Sequence, residues 1–371
     1  MKLVIERTIL LENLSNVMRA ISPRNIIPIL NGVKFELTED GLTLTASDSD
    51  VTISAFIEKK EIKHIEQTGS IVIQSKYLLD IIRKLPNTDI NIAVIDSLKV
   101  VISTENTIYN LNCLNTGDYP QINFETTKTP LVISSDLLKK ILHQTLFAVS
   151  TQESRPLLTG LNLKINGKVL EWVATDSYRL AKKTIMLDNE YGVDEVVIPG
   201  KNLNELDKIL TAEANVEIHL FNNKILFNYN KYQFQSSLLS GTYPNTSNLI
   251  PTDFEIIITT SLNSYFSAID RAALLTQNKD KNVIKLETKE KEILITSFAS
   301  EIGKVEENIP VNKNTNNELS ISFSSKYMME ALKTFDEDDL LILLNTDSKP
   351  IVLKSIKDES LIQLILPIKT Y

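Results

Sequence analysis

Three stretches of the chain share one pattern, and this pattern decides how the chain is organised. They read SIVIQSKYLLDIIRKL at 70–85, EVVIPGKNLNELDKIL at 195–210 and ELSISFSSKYMMEALKTF at 318–335. Each begins with a short apolar strand and continues with apolar residues at helical spacing, and a Ser or Gly at the junction suits a helix start. Lys76, Lys201 and Lys326 occupy the same place in each stretch, at offsets of 125 residues. The pattern predicts three copies of one strand–helix unit.

Other elements recur with nearly the same period. A second set of strand–helix units starts at Leu3, Leu131 and Ile256, at offsets of 128 and 125 residues. Each is followed by strands that alternate apolar and polar residues, beginning near Pro28, Pro156 and Lys281. Turn residues such as Glu39-Asp40-Gly41 and Asn166-Gly167 predict that these strands form antiparallel hairpins. Gly117–Pro120 and Gly241–Pro244 are a further repeated pair.

The period of about 124 residues is far longer than the 20–50 residues of solenoid repeats, so each repeat is a domain. We predict an α+β fold of three repeated domains, each with two helices packed on one face of antiparallel sheets. The predicted boundaries are 1–126, 127–252 and 253–371. Three such domains side by side would form an arc lined by six helices, in windows 6–20, 75–85, 135–149, 200–210, 260–275 and 325–335.

The composition excludes several classes of protein. One cysteine, Cys113, allows no intrachain disulfide and favours a cytoplasmic location. No stretch approaches 18 uninterrupted apolar residues, which excludes a membrane span, and charged residues interrupt the N-terminal apolar run of a signal peptide. The three histidines are far apart in the sequence, which argues against a zinc site, so neither a metal nor a cofactor is expected. Phosphate-binding loops and nucleophile motifs are absent, so the usual signals of an enzyme are missing.

The charge is distributed unequally between the helices and the rest of the chain. The six helical windows contain twelve basic and eight acidic residues, a net +4, whereas the whole chain carries −8 and the remainder therefore −12. A mildly positive helical layer fits the phosphate backbone of nucleic acid without base-specific contacts. The alternative is that these basic residues only form a solvated face. The sequence leaves both interpretations open.

Several segments in register with the repeat carry a family resemblance. They are RNIIPILNGV at 24–33, ESRPLLTGL at 153–161, VATDSYRLA at 173–181, SGTYPNTSNLIP at 240–251 and LPIK at 366–369. Over its full length the chain resembles the bacterial DNA sliding clamps, the beta subunits of DNA polymerase III. The resemblance implies a ring-shaped, head-to-tail homodimer that encircles double-stranded DNA without sequence preference. It further implies a processivity factor with no catalytic activity, a clamp loader that opens the ring, and tethering of the replicative polymerase and other proteins with clamp-binding motifs.

The resemblance also implies three sets of site residues. The DNA-binding residues it implies are Arg24, Lys76, Arg83, Lys139, Gln152 and Lys201. The pocket for partner peptides would contain Leu158, Thr175, Leu180, Pro244, Leu249, Leu364, Leu366, Pro367 and Ile368. The dimer interface would contain Tyr109, Leu111, Leu274 and Leu275.

The chain departs from the family pattern at three places. Ser177-Tyr178 stands where many members have Gly-His or Ser-His. The end reads Leu-Pro-Ile-Lys at 366–369, followed by Thr370 and Tyr371, where Met-Pro-Met-Arg or Thr-Pro-Val-Arg is common. Pro156-Leu157 replaces a tyrosine pair that contacts DNA in some members. These differences leave the preferred peptides and their affinity open.

Two other functions compete with the clamp. Asp48, Asp50 and Asp176 lie in acidic turns and could form a metal or acid site of an enzyme. Aspartates in such turns more often accept hydrogen bonds from their own backbone, and the repeat favours this interpretation. The third possibility is a repeat protein that binds only other proteins. Retention on circular DNA, lost when the DNA is linearised, distinguishes a clamp from such a protein.

Overall fold

The computed structural model describes residues 1–22, 25, 27–96, 98–211, 213–276 and 282–369. The α-helices of these residues are α1 (Arg7–Val17), α2 (Ser75–Lys84), α3 (Ser135–Thr145), α4 (Gly200–Asp207), α5 (Leu262–Ala273) and α6 (Ser325–Leu332). The strands are β1 (Lys2–Glu6), β2 (Gly32–Leu37), β3 (Gly41–Ser47), β4 (Val51–Glu58), β5 (Ile62–Gln67), β6 (Gly69–Gln74), β7 (Asp89–Asp96), β8 (Lys99–Ser103), β9 (Ile108–Leu114), β10 (Leu131–Ser134), β11 (Gly160–Thr175), β12 (Arg179–Pro199), β13 (Asn215–Leu220), β14 (Lys224–Tyr229), β15 (Tyr232–Ser237), β16 (Ile256–Ser261), β17 (Val283–Thr288), β18 (Glu292–Ala299), β19 (Gly303–Pro310), β20 (Asn312–Lys313), β21 (Ser320–Ser324), β22 (Asp339–Leu344), β23 (Ile351–Lys354) and β24 (Leu361–Ile365).

Every predicted helical window contains a helix, and each helix follows a strand without an intervening loop. The side chains of Ser261 and Ser324 cap α5 and α6 by accepting hydrogen bonds from backbone N–H groups of the first turn. The windows 6–20 and 135–149 end in short 3-10 turns rather than in regular helix. The strand–helix repeat is therefore confirmed in all six places.

The hairpin predictions have a mixed outcome. β2 and β3 pair antiparallel across Glu39-Asp40-Gly41, and β17 pairs with β18, as predicted. Asn166-Gly167 does not interrupt its strand, because β11 runs through it and pairs along its length with β12. The pairing register shifts on both sides of Gly167, whose φ of 61° lies in the left-handed region. At this position the turn chemistry produces an irregularity in a long strand.

The chain forms two compact units, one of residues 1–139 and 201–238 and the other of residues 140–200 and 239–371. The predicted three domains thus share their strands: each unit contains one terminal repeat and part of the central one. In the first unit, one sheet has the order β10-β13-β14-β15-β4-β3-β2-β6-β9-β8-β7-β1-β5. It is continuous because β15 of the central repeat pairs antiparallel with β4 of the first repeat.

The second unit has two sheets. One has the order β11-β12-β24-β23-β22-β16-β20 and the other the order β19-β18-β17-β21. The first of these is continuous because β24, the last strand of the third repeat, pairs antiparallel with β12 of the central repeat. The pairing of β24 with β12 therefore repeats the pairing of β15 with β4 in the first unit.

The helices bury an apolar face against these sheets. In the second unit, Tyr265 and Ile269 of α5 and Met328 of α6 lie in one cluster with strand residues such as Phe323 and Ile342, all fully buried. Burying such side chains removes apolar area from water, which is the main favourable contribution to folding. Within the residues that the structure describes, no helix is long and apolar enough to cross a membrane.

His219 in the first unit is buried and predicts a dependence of stability on pH. Its Nδ1 accepts a hydrogen bond from the Thr127 backbone N–H at 2.9 Å, so this nitrogen carries no proton. Burial lowers the pKa of His219, although Glu217 acts in the opposite direction. Above the unfolded pKa of about 6.5 the folded and unfolded chains both hold a neutral imidazole. As the pH falls below that value, only the unfolded chain gains the proton, so stability is lost.

We expect the thermal midpoint of the unmodified chain to fall between pH 7.5 and pH 5.5 by more than that of His219→Gln. Glutamine can keep the acceptor for Thr127 but cannot titrate. His64→Gln is the matched control, because His64 is exposed on β5. Scanning calorimetry of the three proteins at both pH values measures the effect. An identical pH dependence of all three would contradict the assignment.

Candidate functional site

An apolar groove of about 530 Å³ lies where β24 meets β12 in the second unit. Its lining residues are Arg155, Pro156, Leu157, Leu158, Thr175, Ser177, Arg179, Leu180, Pro244, Thr246, Leu249, Pro350, Leu364 and Leu366. The base of the groove is buried, since Leu158, Leu180 and Leu364 belong to one apolar cluster. Leu249 and Leu366 at its rim are 49% and 39% exposed, so apolar side chains face solvent there.

Strand pairing brings these residues together from distant parts of the chain. Leu180 on β12 lies directly opposite Leu364 on β24. After β24 the chain continues as a tail without regular structure, held by two backbone hydrogen bonds. Leu366 N–H donates to the Tyr178 carbonyl at 2.9 Å, and Ile368 N–H donates to the Ser322 carbonyl at 2.7 Å. The tail is thereby fixed along the edge of the groove.

A second cavity, of about 740 Å³, continues beyond Leu366 and Ser177, which line both spaces. Its lining residues are Ser177, Tyr178, Asn282, Ser324, Lys326, Tyr327, Leu366, Pro367, Ile368 and Lys369. The rings of Tyr178 and Tyr327 are stacked, with centroids 6.4 Å apart and planes 24° apart. We call the 530 Å³ space the apolar groove and the 740 Å³ space the aromatic cavity.

The peptide-pocket residues implied by the resemblance divide between the two spaces. Seven of them line the apolar groove: Leu158, Thr175, Leu180, Pro244, Leu249, Leu364 and Leu366. The remaining two, Pro367 and Ile368, line the aromatic cavity. The structure therefore brings the whole predicted set into one continuous surface.

Arg179 is the central residue that the sequence analysis missed. It is 9% exposed, and its guanidinium donates to Asp176 Oδ2 at 3.0 Å, to Glu330 and to the Phe147 carbonyl. The same guanidinium lies 4.5 Å from the Tyr327 ring centroid and 5.0 Å from that of Phe147. It therefore links α6 to the turn before β12. Arg179 is the arginine of the VATDSYRLA segment at 173–181, which the sequence analysis singled out. The sequence did not indicate which residues this arginine would contact.

Two further features shape the wall of the apolar groove. Tyr243 is buried and its hydroxyl accepts a hydrogen bond from Thr175 N–H at 3.1 Å, and burial raises the pKa of this phenol. Gly241, two residues earlier, has a φ of 129°, and a Cβ there would lie 3.0 Å from Leu157 Cδ1. Glycine at this position lets the Gly-Thr-Tyr-Pro segment approach the groove closely.

The acidic turns act on their own backbone. Asp48 Oδ1 accepts from the N–H groups of Asp50 and Val51, at 3.0 and 2.8 Å. Asp176 Oδ1 accepts in the same way from Tyr178 and Arg179, at 2.9 and 3.1 Å. These are repeat-equivalent turns, as predicted. In the part of the chain that the structure describes, no group of three or more His, Cys, Asp or Glu could hold a metal ion.

The residues expected to bind DNA are placed as follows. Lys76, Arg83 and Lys201 are exposed on α2 and α4, Lys139 is half-buried on α3, and Gln152 is exposed in a loop. Two of them have acidic neighbours: Lys201 pairs with Asp50 at 3.0 Å and Arg83 with Asp80 at 3.3 Å. Exposed pairs of this kind are worth about 0–1 kcal/mol, so a phosphate can replace the carboxylate. Arg24 lies outside the described residues.

The residues expected at the dimer interface lie beside two open strand edges, one in each unit. In the first unit, β9 carries Tyr109 and Leu111, both half-buried, and Ile108, which is 69% exposed. Among the described residues, β9 pairs with β8 from Ile108 to Asn112 and with β6 only at Cys113 and Leu114, so its beginning has a free side. In the second unit, β19 is an edge strand. Nearby Ile302 and Leu274 are 70% and 63% exposed, and Leu275 is half-buried.

Family models describe the whole chain as three consecutive parts of one protein. They are the N-terminal, central and C-terminal domains of the DNA polymerase III beta subunit, matched at residues 1–123, 132–245 and 247–369. The chain belongs to this family, the bacterial beta sliding clamps.

Individual relatives agree over the complete length. The chain is 41% identical to the beta sliding clamp of Bacillus subtilis and 39% identical to that of Staphylococcus epidermidis, with 100% of both chains covered in each case. The crystal structure of the Bacillus subtilis DNA polymerase sliding clamp superposes with a TM-score of 0.96 at 40% identity, again covering 100% of both chains.

Membership confirms the fold class predicted above, three sliding-clamp domains built from antiparallel sheets and a few helices. It also confirms the predicted role as a DNA sliding clamp in DNA replication, a processivity factor and not a catalytic enzyme. DNA and a DNA polymerase are the partners that this role requires. The domain boundaries 1–126, 127–252 and 253–371 and the roles of individual site residues remain predictions.

Proposed function

We propose that this chain forms a head-to-tail homodimeric ring in the cytoplasm, which a clamp loader places around duplex DNA. The observation that carries the proposal is the repeated strand pairing. Twice within the chain, the last strand of one repeat pairs with the fourth strand of the preceding repeat or with its counterpart, as β15 with β4 and as β24 with β12. β12 is the counterpart of β4 because the single long strand β11 takes the place of β2 and β3 in the central repeat. Among the described residues, the beginning of β9, the last strand of the first repeat, is unpaired on one side, and β19, the fourth strand of the third repeat, lies at the edge of its sheet. Two copies of the chain would satisfy both edges and close a ring.

Exposed apolar side chains at both edges support this pairing. Ile108 on β9, Ile302 before β19, and Leu274 after α5 are each more than 60% exposed. Long, apolar, unpaired edges are a hazard in a monomer, and covering them with a second copy removes apolar surface from water.

The repeat also supports a specific register between the protomers. Within the chain, Phe234 of β15 lies opposite Ile53 of β4, and Gln363 of β24 lies opposite Ala181 of β12. Ile53 of β4 is also paired on its other side with an alanine, Ala46 of β3. Ala181 of β12 is paired in the same way with Ala174 of β11.

The same relationships identify the residues of the third junction. In the third repeat the corresponding alanine, Ala299 of β18, faces Gly303. Gly303 of β19 therefore corresponds to Ile53 of β4 and Ala181 of β12. Ile102 of β8 faces Tyr109, as Phe227 faces Phe234 in the central repeat. Tyr109 of one protomer is therefore expected opposite Gly303 of the next, and Ile108 opposite Lys304 in an antiparallel ladder.

DNA would be held loosely by the basic side chains of the helices, among them Lys76, Arg83, Lys139 and Lys201, together with Gln152 and Arg24. Contacts to phosphates alone are independent of sequence and weaken as salt rises. An encircling protein does not need tight binding to stay on DNA. The net charge of −8 would limit adsorption of DNA elsewhere on the surface.

The apolar groove and the aromatic cavity are the proposed docking site of the polymerase and of other proteins with clamp-binding motifs. The groove has an aliphatic lining with exposed apolar rims, which suits Leu and Phe side chains of an extended peptide. Leu366 to Ile368, in the tail that follows β24, form one wall of the site.

Retention on DNA is expected to depend on topology. The chain, loaded onto nicked circular plasmid with a bacterial clamp loader and ATP, should elute with the DNA in gel filtration at moderate salt. Cleavage of the plasmid at one site should release it, because a ring slides off a free end. Leu275→Asp, which would bury an unpaired carboxylate at the interface, should not be retained on either DNA. Equal retention on circular and linear DNA would rule out encirclement.

The register is expected to be visible by cross-linking. In a Cys113→Ser background, Ile108→Cys with Lys304→Cys should form covalent dimers on oxidation, since directly opposite residues have Cα atoms about 4.5–5.5 Å apart. Ile108→Cys with Glu306→Cys, displaced by two residues on the same face of β19, is the matched control. Non-reducing gel electrophoresis compares the yields. A higher yield for the displaced pair would show that the register is wrong.

Leu366→Ala is expected to weaken the binding of a labelled peptide containing Leu and Phe by about fivefold, a loss of about 1 kcal/mol of apolar contact. Ile356→Ala is the control, since Ile356 is also exposed but lines neither space. Fluorescence anisotropy measures both affinities. If Ile356→Ala weakened binding as much as Leu366→Ala, the groove would not be the docking site.

A further inference from the structure

The two junctions between repeats that form within the chain share one kind of ion pair. At the first junction, where β15 meets β4, Arg19 lies just after α1, and its Nη1 is 3.3 Å from Glu205 Oε2 of α4. At the second junction, where β24 meets β12, Arg179 of β12 pairs with Glu330 of α6. In both cases the arginine belongs to the earlier repeat and the carboxylate to the second helix of the later repeat.

The carboxylate occupies one fixed position of the repeat. Asp80 of α2, Glu205 of α4 and Glu330 of α6 follow one another at offsets of 125 residues. Asp80 is 63% exposed and pairs with Arg83 of its own helix at 3.3 Å. In the part of the chain that the structure describes, no arginine of another repeat forms an ion pair with Asp80. Asp80 therefore differs from its two counterparts, which both bind an arginine of the preceding repeat.

A second position of the repeat identifies the cation for the third junction. The first helices of the three repeats share one burial pattern, formed by Leu10, Asn13, Leu14 and Val17 on α1, by Leu138, Ile141, Leu142 and Thr145 on α3, and by Tyr265, Ala268, Ile269 and Ala272 on α5. This alignment places Asn16, Gln144 and Arg271 at one helical position. Asn16 Nδ2 donates to the Tyr232 hydroxyl at 2.9 Å. Gln144 Nε2 donates to the Thr334 carbonyl at 2.9 Å, so this position contacts the following repeat at both junctions.

Arg271 is exposed where its counterpart Gln144 is buried. Its side chain is 57% exposed and pairs with Glu307 of β19, to which Nε donates at 2.9 Å and Nη2 also donates. These bonds use two of the five N–H donors of a guanidinium. At the second junction, Thr334 lies four residues after Glu330, about one turn of helix. An arginine side chain reaches further than glutamine, toward the carboxylate position.

We infer that Arg271 of one protomer forms an ion pair with Asp80 of the other when the ring closes. This inference rests on the proposed homodimer and specifies an interaction at its interface. The cation stands on the third repeat and the carboxylate on the first, so the pair forms only when unlike ends of two chains meet. Two like ends would bring like charges together, which costs free energy and favours the head-to-tail arrangement.

Mixing of charge-reversed chains tests the inference. A homodimer of Asp80→Arg, or of Arg271→Asp, has like charges at both interfaces and should dissociate about tenfold more readily than the unmodified chain. A ring with one chain of each kind has one reversed pair and one original pair. The mixture should therefore contain heterodimers well above the half expected from random pairing. Native mass spectrometry of chains with tags of different mass measures the proportions.

Lys140→Asp mixed with Asp336→Arg is the matched control. Lys140 and Asp336 form an ion pair at the second junction, inside one chain, at 2.6 Å. Mixing two chains cannot restore a pair that lies within each chain, so the control should show random pairing.

Neutral variants provide a second measurement. Asp80→Asn and Arg271→Gln should each weaken the dimer about two- to fivefold in sedimentation, and the double variant no more than either one. Random pairing of the charge-reversed chains, or neutral substitutions whose effects multiply, would overturn the inference while leaving the homodimer intact. An unmodified chain that stays monomeric would overturn the homodimer itself.

Discussion

The constraint on which the structure depends is that each repeat leaves one strand edge open and the next repeat closes it. A row of unpaired backbone N–H and C=O groups requires partners, and a strand of the neighbouring repeat provides them. β15 does this for β4 and β24 does it for β12, in antiparallel pairs of five residues each. Because the closure is made by backbone hydrogen bonds, it tolerates divergence of the side chains between repeats. A linear chain of such repeats leaves two places without this closure, here the beginning of β9 and the outer side of β19.

The proposed docking site follows from the same constraint. Where β24 closes β12, residues 366–369 follow without forming a further strand, and two backbone hydrogen bonds hold them along the groove. Apolar side chains such as Leu249 and Leu366 stay exposed at this junction. Arg179 fixes the adjoining turn against α6.

Charge is distributed unevenly over the surface of the chain. The helices carry basic side chains in exposed, weakly paired positions, which suits a partner that must be held but not fixed. Around the groove, Arg155, Lys326 and Lys369 stand beside apolar surface. Both regions would lose selectivity if the remainder of the chain were not acidic, since anions would then bind elsewhere as well.

Local pattern was sufficient for much of this protein. The six strand–helix units, their period and the acidic turns could be predicted, because helical spacing, strand alternation and turn chemistry act over a few residues. The turn predicted at Asn166-Gly167 does not end the strand, because β12 pairs with β11 on both sides of it and the strand continues. The groove residues could be named only through a family resemblance, since Leu180 and Leu364 are 184 residues apart and meet through strand pairing. The partners of Arg179, and the division of the chain into two units that cut across the repeats, were decided by the tertiary structure alone. Both depend on which distant strands share an edge, and no short-range signal in the sequence records that choice.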